Sequence, residues 1–371
     1  MKIVFLSHTA PSGVFRVGSH HLSRELARAG HDVVHLATPV SIAHVASAIR
    51  NPAKRARLGF ARKPTRDDDG VTQFVPHVVA PLSRLPQRWN ERQLDLFGPG
   101  WTRALQRFVP ADVVFIDQPL LGAAARWFEP GVTIYRPTDA HHDRRLRQAE
   151  VSLLGTVDGI AATSGPTLAQ VTDGLERRGA EIVIENGVEF EHFESARRAK
   201  RGNGVVYLGA LDDRFDWAIV KVLAEAFPHE RFTLAGPLVR PRTDMPSNVR
   251  LIGGVAYSEA PQLLAEHAVG VLPLSDHPGN AGRSPMKYYE YLASGLPVLA
   301  RSSEAMVSRG TPNVWLYESP AAAVDLLKSA LSADTQTREA GVDAARFYSW
   351  RDRATRLVDF ASNLSPRSDR A

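Results

Sequence analysis

The chain has 371 residues, more than one hydrophobic core usually serves, which predicts two domains. It has the composition of an ordinary globular protein and contains no cysteine, which excludes disulfides and thiolate chemistry and is compatible with a reducing compartment. No stretch approaches 18 apolar residues, and the opening residues lack the pattern of a signal peptide. We therefore expect a cytoplasmic protein without a membrane-spanning helix.

The first half of the chain alternates short, apolar, β-branched runs with helical patterns. Several runs are apolar at every position, as in strands that are covered on both faces. Between them, residues 19–30 keep Leu22, Leu26 and Ala29 on one face and end at Gly30, which predicts a helix. Such alternation indicates a parallel sheet with helices on both sides. The predicted strands of this half are 2–7, 32–37, 71–76, 112–117, 132–136, 158–163 and 181–186.

A polar, flexible segment at residues 194–204 interrupts the pattern and predicts a linker. We expect an α/β protein of two doubly wound, Rossmann-like domains, over 1–193 and 205–345, with a C-terminal helix over 346–371 that packs back towards the first domain. Ligands of such sheets bind beyond the carboxyl ends of the strands, so we expect the site in a cleft between the domains. The predicted strands of the second half are 205–210, 231–236, 249–254, 269–274, 297–300 and 313–317.

The net charge of +5 is concentrated in two arginine-rich clusters. Residues 50–66 hold seven basic side chains and no acid, with Leu58 and Phe60 among them, and residues 84–97 form a second basic and aromatic cluster. Interleaved apolar side chains favour an anionic membrane surface over nucleic acid, with a solvated loop as the alternative. We predict peripheral attachment to the inner face of the membrane and no nucleic-acid binding.

The richest chemical signal surrounds the start of one helix in the second half. A loop rich in Gly, Asn and Ser, residues 275–285, opens a helix near Pro285 with Ser284 available as N-cap. Backbone N–H groups at such a helix start form an anion site that suits a diphosphate. Lys287 adds a positive charge, and Glu290, one turn on, can accept bonds from ribose hydroxyls. A surface ion pair between Lys287 and Glu290 is an equal alternative by spacing alone.

Five segments resemble GT-B glycosyltransferases, in the order that those enzymes have them. Residues 286–300 look like their nucleotide-binding signature, with an acid, a small-residue helix end and Gly-x-Pro-Val. The resemblance implies the GT-B fold and a nucleoside diphosphate sugar donor, UDP-linked, held by the second domain, with the acceptor in the first. The other similar segments are 24–33, 183–193, 206–211 and 347–360.

A closer resemblance is to the inverting glucuronosyltransferases of xanthan assembly. These have a Ser-Met-Lys run at the place of Ser284, Met286 and Lys287, and a Tyr-Arg-x-x-Asp segment that residues 135–139 match. The resemblance implies that Asp139 is the general base, and it matches Arg16 and His20 in the first loop.

Asp139 follows a predicted strand at its carboxyl end, where it can face a ligand, and inverting transfer needs one base. The alternative is that Asp139 caps a helix starting near Ala140. Retaining relatives usually carry a second Glu eight positions before Glu290, and here that position is Gly282, which favours inversion.

Further site residues follow from their place in the predicted fold. Met286 and Ser284 join the donor site, and Leu211, Gly254 and Val255 follow strands whose loops hold the nucleobase in the resembling families. In the loop after the first strand, Gly13 and Gly18 would let backbone approach a phosphate or sugar, a weak signal by itself.

Two stretches rich in histidine or aspartate do not predict a metal site. His-His-Asp at 141–143 lacks an evident third ligand, and the three aspartates at 67–69 suit a solvated loop. We expect no metal and no cofactor besides the donor.

The sequence thus predicts a membrane-peripheral glycosyltransferase that moves a sugar, glucuronic acid or another hexose, to a hydroxyl of a lipid-linked glycan in cell-surface polysaccharide assembly. Two other interpretations stay open. One is a GT-B sugar-nucleotide epimerase, which needs neither a membrane surface nor a separate acceptor. The other is a catalytically silent subunit that binds nucleotide or glycan.

Overall fold

The computed structural model describes residues 1–9, 16–44, 63–175, 179–197, 202–237 and 244–364. The chain divides into two compact units. The first unit contains Met1–Ile184 and the chain from Arg353 onwards, and the second contains Glu185–Asp352.

The first unit is built on an eight-stranded sheet with the order β3-β4-β2-β1-β5-β6-β7-β8. Its pairs are parallel except for β3 with β4. The direction of winding reverses between β1 and β5, which is the switch point where such sheets bind ligands. The strands are β1 Lys2–Leu6, β2 Asp32–Leu36, β3 Thr65–Arg66, β4 Thr72–Phe74, β5 Val113–Ile116, β6 Val132–Tyr135, β7 Gly159–Ala162 and β8 Ala180–Val183.

Helices flank this sheet, and their ends follow local sequence signals. The first helix ends as predicted, because Gly30 adopts a φ of +88° that stops it. The described helices of this unit are α1 Gly18–Arg28, α2 Gln87–Ala104, α3 Arg144–Leu154 and α4 Gly165–Thr172, with short 3₁₀ segments at Leu82–Arg84 and Gln106–Phe108 and a longer one at Pro119–Phe128.

The second unit has a six-stranded, all-parallel sheet with the order β11-β10-β9-β12-β13-β14. This is the order of a nucleotide-binding doubly wound fold, and its switch point lies between β9 and β12. The strands are β9 Val205–Leu208, β10 Phe232–Ala235, β11 Val249–Gly253, β12 Val269–Leu272, β13 Val298–Arg301 and β14 Val314–Tyr317.

The remaining helices belong to this unit except for the last, which begins in it and continues in the first unit. In that part, Phe360 and Leu364 pack against Gly159 of β7. The helices are α5 Phe190–Glu194, α6 Trp217–Ala226, α7 Ala260–Ala265, α8 Met286–Ala293, α9 Glu304–Val307, α10 Pro320–Leu331, α11 Thr335–Arg346 and α12 Trp350–Ser362, with 3₁₀ turns at Tyr257–Glu259 and Pro278–Asn280.

The structure agrees with all thirteen predicted strands and differs in two places. The units divide at residue 184 rather than at 194–204, because Val188, Phe190 and Phe193 pack in the apolar core of the second unit. The described parts of the predicted linker, residues 194–197 and 202–204, therefore belong to the second unit. Its residues 198–201 lie outside the described residues.

The second difference is β3, a two-residue strand at the end of the basic segment 50–66. The polar pair Thr65–Arg66 gave no strand signal and is held by antiparallel pairing with β4. The rest of that segment, to residue 62, lies outside the described residues. Across the described parts of the chain, no helix combines the length and the apolar character that a membrane span requires.

Candidate functional site

The position of α8 is fixed by its tyrosines. Tyr288, Tyr289 and Tyr291 are fully buried. The Tyr291 hydroxyl also accepts a hydrogen bond of 2.8 Å from the amide of Leu208, the last residue of β9. These contacts hold α8 against the central strands of the second unit.

The loop before α8 is braced by polar side chains from elsewhere in the second unit. Asn186 donates from its amide nitrogen Nδ2 to the Ser284 carbonyl at 2.7 Å, and its backbone N–H donates to the Ser284 hydroxyl at 3.2 Å. The buried Arg309 contacts Glu185 at 2.8 Å and the Tyr289 hydroxyl at 3.1 Å. The start of α8 is therefore held by long-range bonds rather than by its own sequence.

The prediction that Ser284 caps α8 is wrong. Pro285 occupies the N-cap position, and no side chain caps the helix. The Ser284 hydroxyl is buried and lies 3.0 Å from the Tyr289 hydroxyl, so it positions the loop. Within the described residues, the N–H groups of Met286 and Lys287 donate to no protein acceptor, which leaves both for an anion.

Lys287 and Glu290 form an ion pair, but it is not a surface pair. The Lys287 nitrogen Nζ lies 3.6 Å from Glu290 Oε2, and the Glu290 side chain is only 3% exposed. Burial raises the pKa of Glu290, and the charge of Glu189 adds to this, while Lys287 and His192 act in the opposite direction. A desolvated carboxyl of this kind gains from hydroxyl donors, such as a ribose diol.

The carboxyl ends of β9, β10 and β11 lie close together in the second unit. Gly236 donates to the Gly253 carbonyl at 2.6 Å, and a Cβ on Gly236 would lie 1.6 Å from the Gly209 carbonyl oxygen, so only glycine fits there. Gly254 is exposed and Val255 half-buried immediately after β11. Both remain accessible for the nucleobase role predicted for them.

Leu211 fits that role less well than predicted. Its side chain is buried in the core, and its N–H donates to the Pro237 carbonyl at 3.1 Å. The backbone carbonyl is what remains for a base.

Sequence reasoning missed Arg214, which lies at the switch point of the second unit. Arg214 binds Asp212, with its nitrogen Nη2 2.7 Å from Oδ2, and its carbonyl accepts from Asn280 in the loop before α8. Burial pushes the pKa of Asp212 up, but the bonds of Arg214 and the charge of Arg283 bring it below its usual value. Arg214 follows β9 at its carboxyl end, which is the signal that could have found it.

The switch point of the first unit carries a buried ion pair. Arg136 follows β6, and its guanidinium binds both carboxylate oxygens of Asp117, which follows β5, at 2.9 Å each. Their side chains are 4% and 0% exposed. Neither residue was predicted as part of a site, although each is the last residue of a predicted strand.

Asp139 lies on the loop that this ion pair holds. Thr163 donates to the Thr138 carbonyl at 2.9 Å, which fixes the loop a second time. Asp139 is half-buried and does not cap the following helix, because Asp143 accepts from the N–H groups of Arg145 and Leu146. The capping alternative is therefore wrong, and the Asp139 carboxylate is not engaged as a cap.

Histidines fill the other side of this switch point. Burial lowers the pKa of His8, which follows β1; the charges of Asp117 and Asp139 oppose this effect. The rings of His20 and His35 lie 4.6 Å apart. Burial, with help from His21, lowers the pKa of His20 to about 4. The pKa of His8 thus responds to the charges of both Asp117 and Asp139, and sequence reasoning missed this residue as well.

The remaining predicted residues of the acceptor side are partly described. Arg16 is exposed, and its charge contributes to the lowered pKa of His20. Gly18 is the buried first residue of α1. Gly13 lies outside the described residues. Among the residues that the structure describes, no three His, Asp or Glu side chains group in a way that could hold a metal ion.

Comparison with known proteins gives one family model and one curated relative. Residues 214–359 match the model of the family described as glycosyl transferase-like. A Bacillus subtilis strain 168 protein, TuaH, whose name assigns it to teichuronic acid biosynthesis as a glycosyltransferase, is 24% identical over 192 residues. The match covers 46% of this chain and 47% of TuaH, so the chain spans about half the length of that relative.

Solved structures match over nearly the whole chain. Sucrose-phosphate synthase from Thermosynechococcus elongatus superposes with a TM-score of 0.70 and 14% identity, covering 98% of both chains. Anabaena HepE in complex with UDP matches with a TM-score of 0.65 and 13% identity, covering 98% of this chain and all of HepE. An Escherichia coli protein bound with UDP-2-fluoro glucose matches with a TM-score of 0.66 and 10% identity, covering 98% of this chain and all of its own. At these identities the likeness shows the fold, which is GT-B as the sequence predicted.

Replacing Arg136 by Met should lower the free energy of unfolding by about 3–5 kcal/mol, because it leaves the Asp117 carboxylate buried without its cation. Urea unfolding followed by tryptophan fluorescence would measure the loss. Arg28→Met is the control, since Arg28 pairs with Glu25 and Asp69 but is 53% exposed, and it should cost about 1 kcal/mol or less. Equal losses in both variants would contradict the account.

The stability of the protein should fall as the pH drops from 6.5 to about 4. In this pH range His20 is protonated in the unfolded chain. In the folded protein it stays neutral until the pH reaches its lowered pKa of about 4. Acid therefore favours the unfolded state. The shifted pKa of His20 lowers the free energy of unfolding by about 3 kcal/mol over this pH range, at about 1.4 kcal/mol for each pH unit. His20→Gln should flatten this dependence in pH-resolved urea unfolding, whereas His229→Gln, at an exposed site, should not; an unchanged slope in His20→Gln would overturn the assignment.

Proposed function

We propose that this chain is a glycosyltransferase that moves a sugar from a UDP-linked donor to an acceptor hydroxyl in cell-surface polysaccharide assembly. The observation that carries the proposal is the start of α8, where Lys287 and the buried Glu290 stand beside two N–H groups that have no acceptor among the described residues. The UDP and UDP-2-fluoro glucose bound in two proteins of the same fold support a uridine donor. The name of TuaH supports a polysaccharide product.

The donor site acts through charge and hydrogen bonding. Lys287 and the first-turn N–H groups of α8 meet the diphosphate and stabilise the charge that develops on it as the sugar leaves. Glu290 accepts hydrogen bonds from the ribose hydroxyls. Arg214, partly exposed at the same switch point, adds positive charge. No metal or cofactor is part of this proposal.

The acceptor site supplies the base. Asp139 takes the proton of the acceptor hydroxyl as its oxygen bonds to the anomeric carbon of the sugar, and the bond from that carbon to the diphosphate breaks. UDP leaves with the electron pair of that bond, and the configuration inverts. The absence of an acid at Gly282 supports inversion. The fold leaves this open, because a neighbour of the same fold is described in terms of glycosyltransfer with retention.

The acceptor we propose is a lipid-linked glycan, reached from the inner face of the membrane by a cytoplasmic protein. The outer side of α2 supports this, since Trp89 is 48% exposed, Leu96 is 71% exposed, and Arg92 lies over the Trp89 ring at 5.1 Å. Arginine interleaved with exposed apolar side chains suits a headgroup boundary. The sugar is glucuronic acid or another hexose, as the resemblance to xanthan glucuronosyltransferases implies.

Asp139→Asn should lower acceptor-dependent UDP release about 10²- to 10⁴-fold and leave donor affinity unchanged, because it removes the base and no donor contact. The assay supplies UDP-glucuronic acid and other UDP-hexoses with membrane extract as the source of lipid-linked acceptor, and NMR of the product reads its anomeric configuration. Asp68→Asn, at an exposed loop position, is the control. Wild-type rates in Asp139→Asn would refute its role as the base. Conversion of the donor into an isomeric nucleotide sugar without acceptor would replace transfer by epimerisation.

A further inference from the structure

A groove runs between α2 and α3 on the first unit, away from the side chains discussed above. It consists of two adjoining cavities of about 290 and 240 Å³ that share Gln87, Asn90 and Leu120 in their walls. No step of the proposed transfer uses it.

The floor of the groove is apolar and firmly held. Pro119, Leu120 and Ala123 of the 3₁₀ segment and Leu153 of α3 line it. The 3₁₀ segment packs closely on α3, because a Cβ on Gly122 would lie 2.8 Å from Leu153. The floor is therefore a built surface that exists without a ligand.

A polar brace holds the wall on the side of α2. Asn90 is 3% exposed and donates to the Leu82 carbonyl at 2.7 Å. Gln93 donates to Asn90 at 3.2 Å and to the Ala80 carbonyl at 3.2 Å. The segment that leads into α2, with Leu85 and its neighbour Pro86, is thereby kept at the edge of the groove.

The rim is predominantly cationic. Arg144 and Arg145, in the first turn of α3, line one end; Arg145 donates to the Ser83 carbonyl at 3.1 Å. Among the described residues, neither has an acidic partner within salt-bridge distance. At the other end Arg126 contacts Asp95, and Glu91 accepts from Gln87. The uncompensated positive charge is thus concentrated at the α3 end.

We infer that this groove binds the phosphate-bearing end of the prenyl chain of a lipid-linked acceptor, with the phosphate on Arg144 and Arg145 and the first prenyl units along Leu120 and Leu85. The inference rests on the proposed function and names the part of the acceptor that this surface recognises. A cationic end joined to an apolar trough is complementary to an amphipathic anion.

The position of the groove along the chain suits such an acceptor. Arg144 follows the proposed base Asp139 by five residues, so the two sites are at most about 18 Å apart, even if the chain between them were extended. A lipid phosphate at Arg144 therefore leaves room for a short glycan that ends at Asp139.

A flat anionic membrane would account for the rim but not for the recessed floor. Headgroup phosphates reach exposed arginines without entering a trough lined by Leu120, whereas a single prenyl chain uses both parts. The two occupants therefore differ in whether binding depends on the floor.

The test is calorimetric titration of the whole chain with farnesyl monophosphate below its micelle threshold, compared with farnesol and inorganic phosphate. We expect farnesyl monophosphate to bind at least tenfold more tightly than either. The variant Arg144→Gln/Arg145→Gln and the floor variant Leu120→Asn should each weaken it at least tenfold. Arg103→Gln, exposed on α2 and outside the groove, should bind as wild type does.

Stabilisation by UDP, measured as a thermal shift on the same variants, reports folding and the donor site separately. Retained UDP shifts with lost farnesyl phosphate binding support the groove. A second outcome is that farnesyl phosphate binding is lost in the groove variants while UDP does not stabilise any form of the protein. That result would support the groove and overturn the proposed transferase. Absent binding in wild type, unchanged binding in the variants, or affinity confined to phosphatidylglycerol vesicles would overturn the groove.

Discussion

The close approach of α8 to the central sheet is the contact on which the donor site depends. A Cβ on Gly270 of β12 would lie 2.3 Å from the Tyr291 ring, so this strand admits the helix only because it has no side chain there. Tyr291 then reaches the end of β9 through the Leu208 amide. These two contacts place the first turn of α8 at the switch point between β9 and β12, with Lys287 and Glu290 one helical turn apart on one face. The crowded tyrosines are thus the buried side of a helix whose first turn carries the proposed donor site.

Both units place buried charge at a switch point, and in both the arrangement is costly for stability. Glu290 loses its hydration and is paired with Lys287, and the Asp117–Arg136 pair is removed from water almost completely. Apolar residues of similar volume would serve a core equally well or better, so such charges are candidates for function. In the first unit the pair holds the loop that carries Asp139, and in the second the carboxyl itself faces the proposed donor.

Local patterns were enough to predict the strands, the helix at α8 and its two charged residues, because hydrophobic periodicity and loop composition are read within a few residues. Bonds between distant segments could not be predicted. Ser284 looked like a cap, but Asn186, 98 residues away, engages it. Asp139 was the capping alternative by sequence, but the helix begins later and Asp143 caps it. The division at residue 184 depends on where Phe190 and Phe193 pack, which composition does not encode. His8, Asp117 and Arg136 stand at predicted strand ends, yet their convergence requires the strand order.

The central claim is that α8 presents a donor site, and thermal shifts with UDP, GDP, ADP and TDP and their sugar conjugates test it most directly. Ligand at a hundredfold excess over its Kd stabilises the native state by about 2.7 kcal/mol. We predict that UDP or its conjugates raise the melting temperature of wild type and of Lys328→Ala, an exposed lysine in α10, and that Lys287→Ala loses most of this shift. An equal shift in Lys287→Ala, or no shift with any nucleotide, would contradict the donor site and favour a subunit without catalysis.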